Sequence, residues 1–563
     1  MKRILVTIIA FAAISFAAGA QDMYYAEMLS RNNYYGTARS VALGNAMTAL
    51  GGDLGSIGIN PAGSAVAPYG QLTITPGVLI SSSGASYSPD GSEVFGKAFR
   101  TSHPKFNLPN LGLTMVMYSD SRSAVDYVTM GVVANTSNTF LNYTTAHGEN
   151  SATSFLGSLA AGARGTDYSN LPRDLYSAYA ANQIGEFGPV GSNRYVGANQ
   201  RLNSGETYAY VPGTLDQTAM YNTYGSKTDL AFNMGFSIQN SFYLGFNLGI
   251  PFLTYQREEV FAEAAQNPGA FPTIFEGPGG KDMTNYLSSD NTYKLNTKAT
   301  GVYAKVGFIA LPTEHLRIGA AIQTPTLYQI SESWRYFASA CYENPTYDGE
   351  AMSTLGEYNY NLRSPYVFNA GIAYTLPGVG LFSLDYELTD YSVMKYKDVD
   401  QFYSESTSWD RTNLINRTFC GSSHAVRTGI EVKPLPVLAI RAGYSILTDP
   451  EKYWDDEKGN RVTAETVQFI GNSSAIRQNL VKSHHFDSIT HAVSLGAGYS
   501  SPGSFYADLA VRLTSYPTAY YSPYYYGAYD AMDSAGRSIN VGAPLEKLER
   551  SVYDVMMTLG WRF

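Results

Sequence analysis

Few residues in this sequence have the types and spacing that catalysis or metal binding requires. His484, His485 and His491 lie near one another, but they form no recognised metal-ligand motif with a carboxylate or a cysteine. The sequence also contains no Gly-x-Ser-x-Gly nucleophile elbow in a strand-turn-helix setting, no phosphate-binding loop and no HExxH motif. We therefore predict no metal, no cofactor and no enzymatic activity.

Two other groups of side chains could do limited chemistry. An acidic loop could hold divalent cations, although a solvated run of charges is the commoner role of such a segment. Its carboxylates are Asp449, Glu451, Asp455, Asp456 and Glu457. The two cysteines, Cys341 and Cys420, are too few for a disulfide framework or a four-ligand zinc site. They could form one disulfide in an oxidising compartment or remain free thiols.

The start of the chain has the form of a signal peptide. Lys2 and Arg3 precede an apolar run over residues 4–18, and Ala18-Gly19-Ala20 provides small residues where a signal peptidase cuts. The run is too short for a membrane-spanning helix. We predict that residues 1–20 are a signal peptide, cleaved before Gln21, and that the protein is secreted.

The composition is unusual for a soluble protein. The chain is 44% hydrophobic and only 15% charged, and it contains 46 Tyr and 53 Gly; soluble proteins are about 25% charged. Tyr suits membrane interfaces, and Gly suits tight turns and crowded barrel interiors. The net charge of −9 falls to −11 when Lys2 and Arg3 are lost. Without basic clusters, this acidic chain is not expected to bind nucleic acid.

Alternation of apolar and polar residues recurs in the chain after residue 70. In the last segment Asp554, Thr558 and Arg562 lie on one face of an extended strand. The other face carries Tyr553, Val555, Met557, Leu559, Trp561 and Phe563. About fourteen such segments occur between residues 71 and 563, and short connections alternate with long ones, as in outer-membrane barrels. A soluble β-sandwich has no reason to sort its connections in this way.

The alternation therefore predicts an all-β protein, a closed 14-stranded antiparallel transmembrane β-barrel with long, partly helical extracellular loops. The predicted outer face is almost purely apolar, whereas charges of both signs lie on the inner face and suit a wet lumen or a plug within it. The inner charges are Lys305, Arg317, Asp385, Glu387, Arg427, Glu431, Arg441, Asp508, Arg512, Asp554 and Arg562. The predicted location is the outer membrane of a Gram-negative bacterium.

Residues 21–70 lack this alternation. They contain Tyr35-Gly36-Thr37-Ala38-Arg39-Ser40, a Gly- and Ala-rich continuation, and Ile59-Asn60-Pro61-Ala62-Gly63. This stretch resembles the N-terminal hatch of the FadL family of long-chain fatty acid transporters, in particular a divergent branch found in Bacteroidota. The resemblance implies a hatch over residues 21–70 that plugs a barrel formed by residues 71–563. Asn60, Pro61 and Ala62 match the hatch motif, and Asn60-Pro61 also suits a turn.

The resemblance further implies a kink in the third strand that opens a lateral exit into the membrane. The polar run Asn135, Thr136, Ser137 and Asn138 interrupts the apolar face of that strand, and a bulge there would break wall hydrogen bonds locally. Alternatively, this run already lies above the membrane in an external loop.

The long connection 147–225 is an extracellular insertion with helical signals. Its apolar residues could form a groove that captures a hydrophobic ligand, or they could be the insertion's own small core. They are Leu156, Leu159, Leu171, Leu175, Tyr179 and Ile184.

We accordingly expect a channel for the diffusion of hydrophobic small molecules such as long-chain fatty acids, gated by the hatch. A polar-solute porin or a structural barrel is the alternative. A surface hydrolase is a third, because His491 lies on the predicted outer face, although no Ser/His pair can be assigned. The expected partners are outer-membrane lipids and lipopolysaccharide, a fatty acid-like ligand and the barrel assembly machinery, and the protein is expected to be a monomer.

Overall fold

The computed structural model describes residues 10–11, 22–120, 123–189, 191–277, 280–399, 409–464, 480–532 and 537–563. Most of the predicted signal peptide, including its cleavage site at Ala20-Gln21, lies outside these residues. No helix in the described part of the chain is long and apolar enough to cross a membrane.

Fourteen wall strands form one antiparallel barrel. The third strand is split, and four other strands also consist of two segments each. They are β1 (Gln71–Ser88), β2 (Phe99–Ser119), β3 (Val125–Thr139 and Asn142–Asn150), β4 (Leu215–Ile238), β5 (Phe242–Ala265), β6 (Gly280–Ala310), β7 (Leu316–Gln323 and Leu327–Tyr342), β8 (Gly356–Arg363 and Val367–Leu376), β9 (Gly380–Asp390 and Lys395–Asp398), β10 (Ser422–Leu435), β11 (Leu438–Thr448), β12 (Ile489–Ser500), β13 (Phe505–Ser515 and Ala519–Tyr521) and β14 (Leu545–Arg562). Each strand pairs with the next, and β14 pairs with β1 through partners such as Trp561 and Leu72. The predicted closed barrel is confirmed.

The two ends of the barrel differ. One end carries the tight turns 239–241, 311–315, 377–379, 436–437 and 501–504, and the short connection from Ser119 to Val125 is at the same end. Gly70 and Phe563 also meet at this end, where they exchange backbone hydrogen bonds of 2.9 and 3.1 Å. Six of the seven connections at the opposite end are longer than any of these turns by a wide margin, and the longest runs over residues 151–214. Barrels of outer membranes place tight turns in the periplasm and long loops outside.

The outer wall carries an apolar belt of the height that a bilayer requires. On β5 the outward side chains Phe242, Phe246, Leu248 and Phe252 are exposed, whereas the alternate residues between them face inward and are buried. A tilted strand needs about 9–11 residues to cross the hydrocarbon core, which this stretch supplies. Above the belt the outer surface becomes polar, with an ion pair of 2.8 Å between Lys294 and Glu258.

Most of the inward-facing charges that the alternation predicts are buried and paired with one another. Arg441 lies 2.7 Å from Glu431 and 2.5 Å from Asp508, and Arg512 lies 2.8 Å from Asp554. Buried charges are tolerated only when a partner compensates their lost hydration. The inner wall of β10–β14 is therefore a set of cross-strand ion pairs rather than an open row of charges.

Short helices lie inside the barrel and over its loop end. The α-helices are α1 (Met23–Ser30), α2 (Ala38–Ala42), α3 (Phe155–Ala163), α4 (Arg173–Ala180) and α5 (Asp410–Phe419), and 3₁₀ turns span Leu54–Gly58, Pro61–Val66, Tyr168–Asn170, Pro268–Ala270, Pro345–Tyr347 and Tyr391–Val393. Minor strands span Ala10–Phe11, Ile184–Glu186, Tyr195–Gly197, Arg201–Leu202, Ala209–Tyr210, Pro272–Gly277, Gly349–Met352, Lys452–Asp456, Arg461–Val462, Leu480–His485, Ala528–Met532 and Ser538–Gly542.

The structure corrects the predicted bounds of the insertion and shows which of the two possible states the cysteines adopt. The insertion spans 151–214 rather than 147–225, because β3 continues to Asn150 and β4 already begins at Leu215, where the two strands pair above the belt. Cys341 and Cys420 are both free thiols, the first exposed on β7 and the second buried before β10.

Candidate functional site

Residues 22–70, here called the lumenal segment, lie inside the barrel and pack against its wall. Asn60 is central to this packing. Its side-chain amide donates to the carbonyl oxygens of Thr48 (2.7 Å) and of Phe308 on β6 (3.0 Å). Its Oδ1 accepts from the backbone N–H of Ala62, and Pro61 occupies the first position of the 3₁₀ turn that follows. The Asn-Pro-Ala motif thus forms a turn and also joins the segment to the wall.

Other wall side chains bind carbonyl groups of the lumenal segment. Lys305 donates to Gly58 O at 2.9 Å, and Arg317 donates to Leu50 O at 2.9 Å. Asn247 donates to Ile57 O at 2.8 Å. Because short turns leave carbonyl groups without intrasegment partners, these donors satisfy groups that would otherwise be buried without a hydrogen bond. The wall and the segment therefore form one polar network.

Glycines of the wall allow the lumenal segment to approach this closely. A Cβ on Gly245 would lie 2.2 Å from the Ala62 nitrogen, and one on Gly319 would lie 2.2 Å from Thr48 O. A Cβ on Gly443 would lie 2.1 Å from the nitrogen of Gly44. Only glycine permits such contacts. The sequence showed many glycines but gave no means of choosing these, because the contacts join residues far apart in the chain.

The third strand is broken at the predicted polar run. Pairing between β2 and β3 extends from Ser119 and Tyr127 to Asn110 and Asn135, where it ends. On the other side of β3, Thr136 pairs with Thr228 and Asn138 with Lys227, so Ser137 is a bulge. Phe140 and Leu141 then leave the strand, and Asn142–Asn150 pairs with β4. Local insertion of one residue bends a strand and breaks its ladder.

The lumenal segment occupies the edge that this break exposes on the inside. Tyr35 N–H donates to Thr136 O at 2.8 Å, and Asn33 N–H donates to Ser137 O at 2.7 Å. Asn138 accepts from the side-chain amide of Asn33 at 2.8 Å, and Asn135 accepts from that of Asn110 at 2.7 Å. The four polar residues Asn135–Asn138 therefore contact the lumenal segment or β2.

The upper half of β2, Phe99–Pro109, pairs with β1 and, within the described part of the chain, with no strand on the side of β3. This edge contains Pro104, Pro109 and Lys105, and proteins commonly use Pro and Lys to keep an open edge from pairing. The outward Phe106 is 70% exposed, compared with 40% for Val78 on β1, because no neighbouring strand covers it. The wall thus has a discontinuity between β2 and β3.

A cavity of about 470 Å³ lies on the inner side of the break, toward the long loops. Asn138, Thr139 and Phe140 form one of its walls. Its apolar lining consists mainly of Met23, Tyr25, Met28, Phe140, Tyr255 and Leu548. The rings of Phe140 and Tyr255 meet edge to face with centroids 5.3 Å apart. A volume of this size and lining is typical of a small-molecule site.

The six residues predicted to capture a ligand lie together, but in a packed core. Leu156, Leu159, Leu171, Leu175 and Ile184 are each buried, and Tyr179 packs against them. Helices α3 and α4 turn these side chains toward Phe261 of β5 and Tyr524 of the β13–β14 connection. Glu263 of β5 accepts from the N–H groups of Phe155 and Leu156 at the start of α3. The burial agrees with the alternative, the insertion's own core, and a capture role for these residues stays a prediction.

The remaining candidate groups have ordinary structural partners. His491 is exposed on the outer wall, and its Nδ1 lies 2.8 Å from the Tyr444 hydroxyl. Ser515 is its cross-strand partner, but in the part of the chain that the structure describes no side-chain hydrogen bond joins the two residues. His484 lies 2.7 Å from Asp455. The described residues contain no group of His, Cys, Asp and Glu that could hold a metal ion.

Comparison with known proteins gave matches among solved structures. No protein-family model and no curated protein sequence matches the chain. The toluene transporter TodX of P. putida is 11% identical with a TM-score of 0.44, over 94% of this chain and 98% of that one. The toluene transporter TbuX of Ralstonia pickettii is 12% identical with a TM-score of 0.44, over 94% and 99%. A Pseudomonas aeruginosa FadL homologue is 12% identical with a TM-score of 0.44, over 94% and 98%.

Proposed function

We propose that this chain is an outer-membrane channel through which hydrophobic small molecules, such as long-chain fatty acids, diffuse from the external medium into the membrane. The observation that carries the proposal is the break in β3 with a largely apolar cavity on its inner side. A molecule in the cavity would leave sideways between the unpaired upper half of β2 and the bulged end of β3, beyond Asn110 and Asn135, where the wall pairing ends.

The lumen supports a lateral route rather than an axial one. At the height of the apolar belt the barrel contains the lumenal segment and cross-strand ion pairs such as that between Arg512 and Asp554. Each Å² of apolar surface that a cargo molecule transfers from an apolar cavity to this polar region costs about 25 cal/mol. An acyl chain would lose several kcal/mol along such a path, whereas a lateral exit delivers it directly to hydrocarbon.

The composition of β2 disfavours closing of the break by the wild-type β3 during transport. If β3 returned to the wall during transport, the edge of β2 would need its backbone N–H groups for pairing, yet Pro104 and Pro109 have none. We infer that cargo movement is controlled from the inside, by the lumenal segment. Its residues Asn33 and Tyr35 pair with Ser137 and Thr136, so their displacement would clear the inner side of the break.

Deletion of Ser137 tests the proposal, because it removes the extra residue and lets Asn138 follow Thr136 in register with β4. We expect uptake of a labelled long-chain fatty acid by cells that lack other transporters to fall to background. Ser137→Ala is the matched control, since it keeps the bulge and loses only the hydroxyl, which donates to Lys227 O at 3.3 Å and interacts with Asp229. The control should transport normally, and both variants should show the heat-modifiable gel mobility of a folded barrel.

A polar-solute porin is the second candidate, favoured by a cavity of about 440 Å³ at the turn end that contains Arg39, Arg317, Arg441, Glu431 and Asp508. Liposome swelling in sugar solutions distinguishes the two functions. The porin would be supported if the wild-type protein passed sugars but took up no fatty acid, and if the sugar flux persisted after deletion of Ser137. Absence of both fluxes in the wild type would leave a structural barrel.

A further inference from the structure

The charges that line the 470 Å³ cavity are not balanced. Its acidic residues are Asp22, Glu27, Asp449, Glu451 and Glu549, and its basic residues are Arg31, Arg257 and Arg550. Such an excess of carboxylates opposes a ligand that carries a negative charge.

Each of the three guanidinium groups already has a partner. Arg31 lies 2.5 Å from Glu27, and Arg257 donates from Nε to Glu259 at 2.7 Å. Arg550 donates to Leu141 O at 2.6 Å and lies over the ring of Tyr516. A fatty-acid carboxylate entering the cavity would compete with Glu27 for Arg31 and with Glu259 for Arg257, and Nε of Arg550 is without a hydrogen-bond partner among the described residues.

Two of the carboxylates, in contrast, accept hydrogen bonds from backbone N–H groups, and the charges of Arg257 and Arg31 act on them only from a distance. Asp22 accepts from the backbone N–H of Tyr25 at 2.7 Å, and Asp449 accepts from that of Glu451 at 2.9 Å. Neither forms an ion pair among the described residues. Lys227, which lies close by on β4, directs its ammonium to the carbonyl groups that end α1. Burial raises the pKa of Asp22, and the hydrogen bond from the Tyr25 N–H and the positive charge of Arg257 oppose this effect only in part.

We propose that the cavity prefers hydrophobic molecules with a cationic head, such as long-chain amines, over fatty-acid anions of the same chain length. The apolar chain would contact Met23, Met28 and Phe140, and the ammonium group would lie near Asp449 and Asp22. The inference rests on the proposed function and specifies the substrate class of the same site.

The test compares dodecylamine, dodecanol and dodecanoate at pH 7.5, each titrated below its micelle concentration into the full-length mature protein. The protein is held in nanodiscs of zwitterionic lipid, and signals from empty nanodiscs are subtracted. We expect the amine to bind at least about tenfold more tightly than the carboxylate, with the alcohol between them. Asp449→Asn should lower the ratio of amine to carboxylate affinity at least about threefold. Glu457→Gln, the same loss of charge on an exposed residue outside the cavity, should leave that ratio unchanged.

The possible outcomes separate the inference from the function on which it rests. Tightest binding of dodecanoate would overturn the amine preference and leave the hydrophobic channel intact. An equal change of the ratio in Asp449→Asn and Glu457→Gln would show a surface-charge effect and would also overturn the preference. If none of the three compounds binds to the wild-type protein, the cavity is not a ligand site and the proposed function fails with it.

Discussion

Lys227 provides a direct test of how the lumenal segment is held beside the break in β3. This fully buried side chain of β4 donates to the carbonyl oxygens of Arg31 (2.6 Å), Leu29 (3.1 Å) and Ser30 (3.4 Å) at the end of α1. Lys227→Met keeps an unbranched side chain, shorter by the terminal nitrogen, and removes all three hydrogen bonds. The terminal carbonyl groups of α1 then lose their ammonium partner inside the barrel.

The magnitude follows from these contacts. A hydrogen bond to a charged group is worth about 1.5–3 kcal/mol, so three would amount to roughly 4.5–9 kcal/mol if they were additive. They share one ammonium group, whose burial itself costs several kcal/mol, so we expect a net loss of about 2–4 kcal/mol. At about 1.4 kcal/mol per factor of ten, local opening of α1 should become roughly 30- to 700-fold more frequent.

Hydrogen–deuterium exchange measured by mass spectrometry on peptides covering residues 22–35 would report this change. Lys294→Met is the matched control, because Lys294 lies outside the wall, half exposed, in an ion pair with Glu258. Such surface pairs contribute about 0–1 kcal/mol, so the control should leave exchange of α1 unchanged. Unaltered exchange of α1 in Lys227→Met would refute the conclusion that this lysine holds the helix.

Two more predictions concern the lumenal segment and the insertion. Gly245→Ala should displace the lumenal segment and increase its cleavage by added trypsin, because the new Cβ would lie 2.2 Å from the Ala62 nitrogen. Gly185→Ala is the control: its new Cβ meets open space, so cleavage of the lumenal segment should stay unchanged. Burial raises the pKa of Asp174 in α4 to about 7, so the folded insertion holds this proton more tightly than the unfolded chain does. Its stability should therefore fall as the pH rises from about 4 to about 7 and then level off. Hydrogen–deuterium exchange of the insertion, corrected for the intrinsic exchange rates, would measure this change. Asp174→Asn should remove the pH dependence.

The location of the break in β3 could be predicted from the local sequence pattern. The run Asn135–Asn138 interrupts an apolar face, and that feature is visible in a single stretch of sequence. Its identity as a bulge at Ser137, with pairing to Asn33 and Tyr35 of the lumenal segment, depends on registers between strands and could not be derived locally.

The leucines of the insertion illustrate the opposite case. Apolar residues such as Leu156 and Leu175 have the same pattern whether they line a groove or form a core. Their burial is decided by Phe261 and Tyr524, which approach from two other parts of the chain. The cavity beside the break, which no pattern indicated, likewise brings together α1, residues of six wall strands (β3, β4, β5, β12, β13 and β14) and several connections.

The sequence by itself determined the strand number, the faces of the wall and the inward position of charges such as Arg441 and Asp554. Period-two alternation is a property of successive residues, and a bilayer admits strands with one apolar face only in a closed sheet. Tertiary structure alone decided which glycines admit the lumenal segment, which charges pair and where an apolar cavity remains. Those features arise from contacts between residues that are distant in the chain, and packing rather than local periodicity sets them.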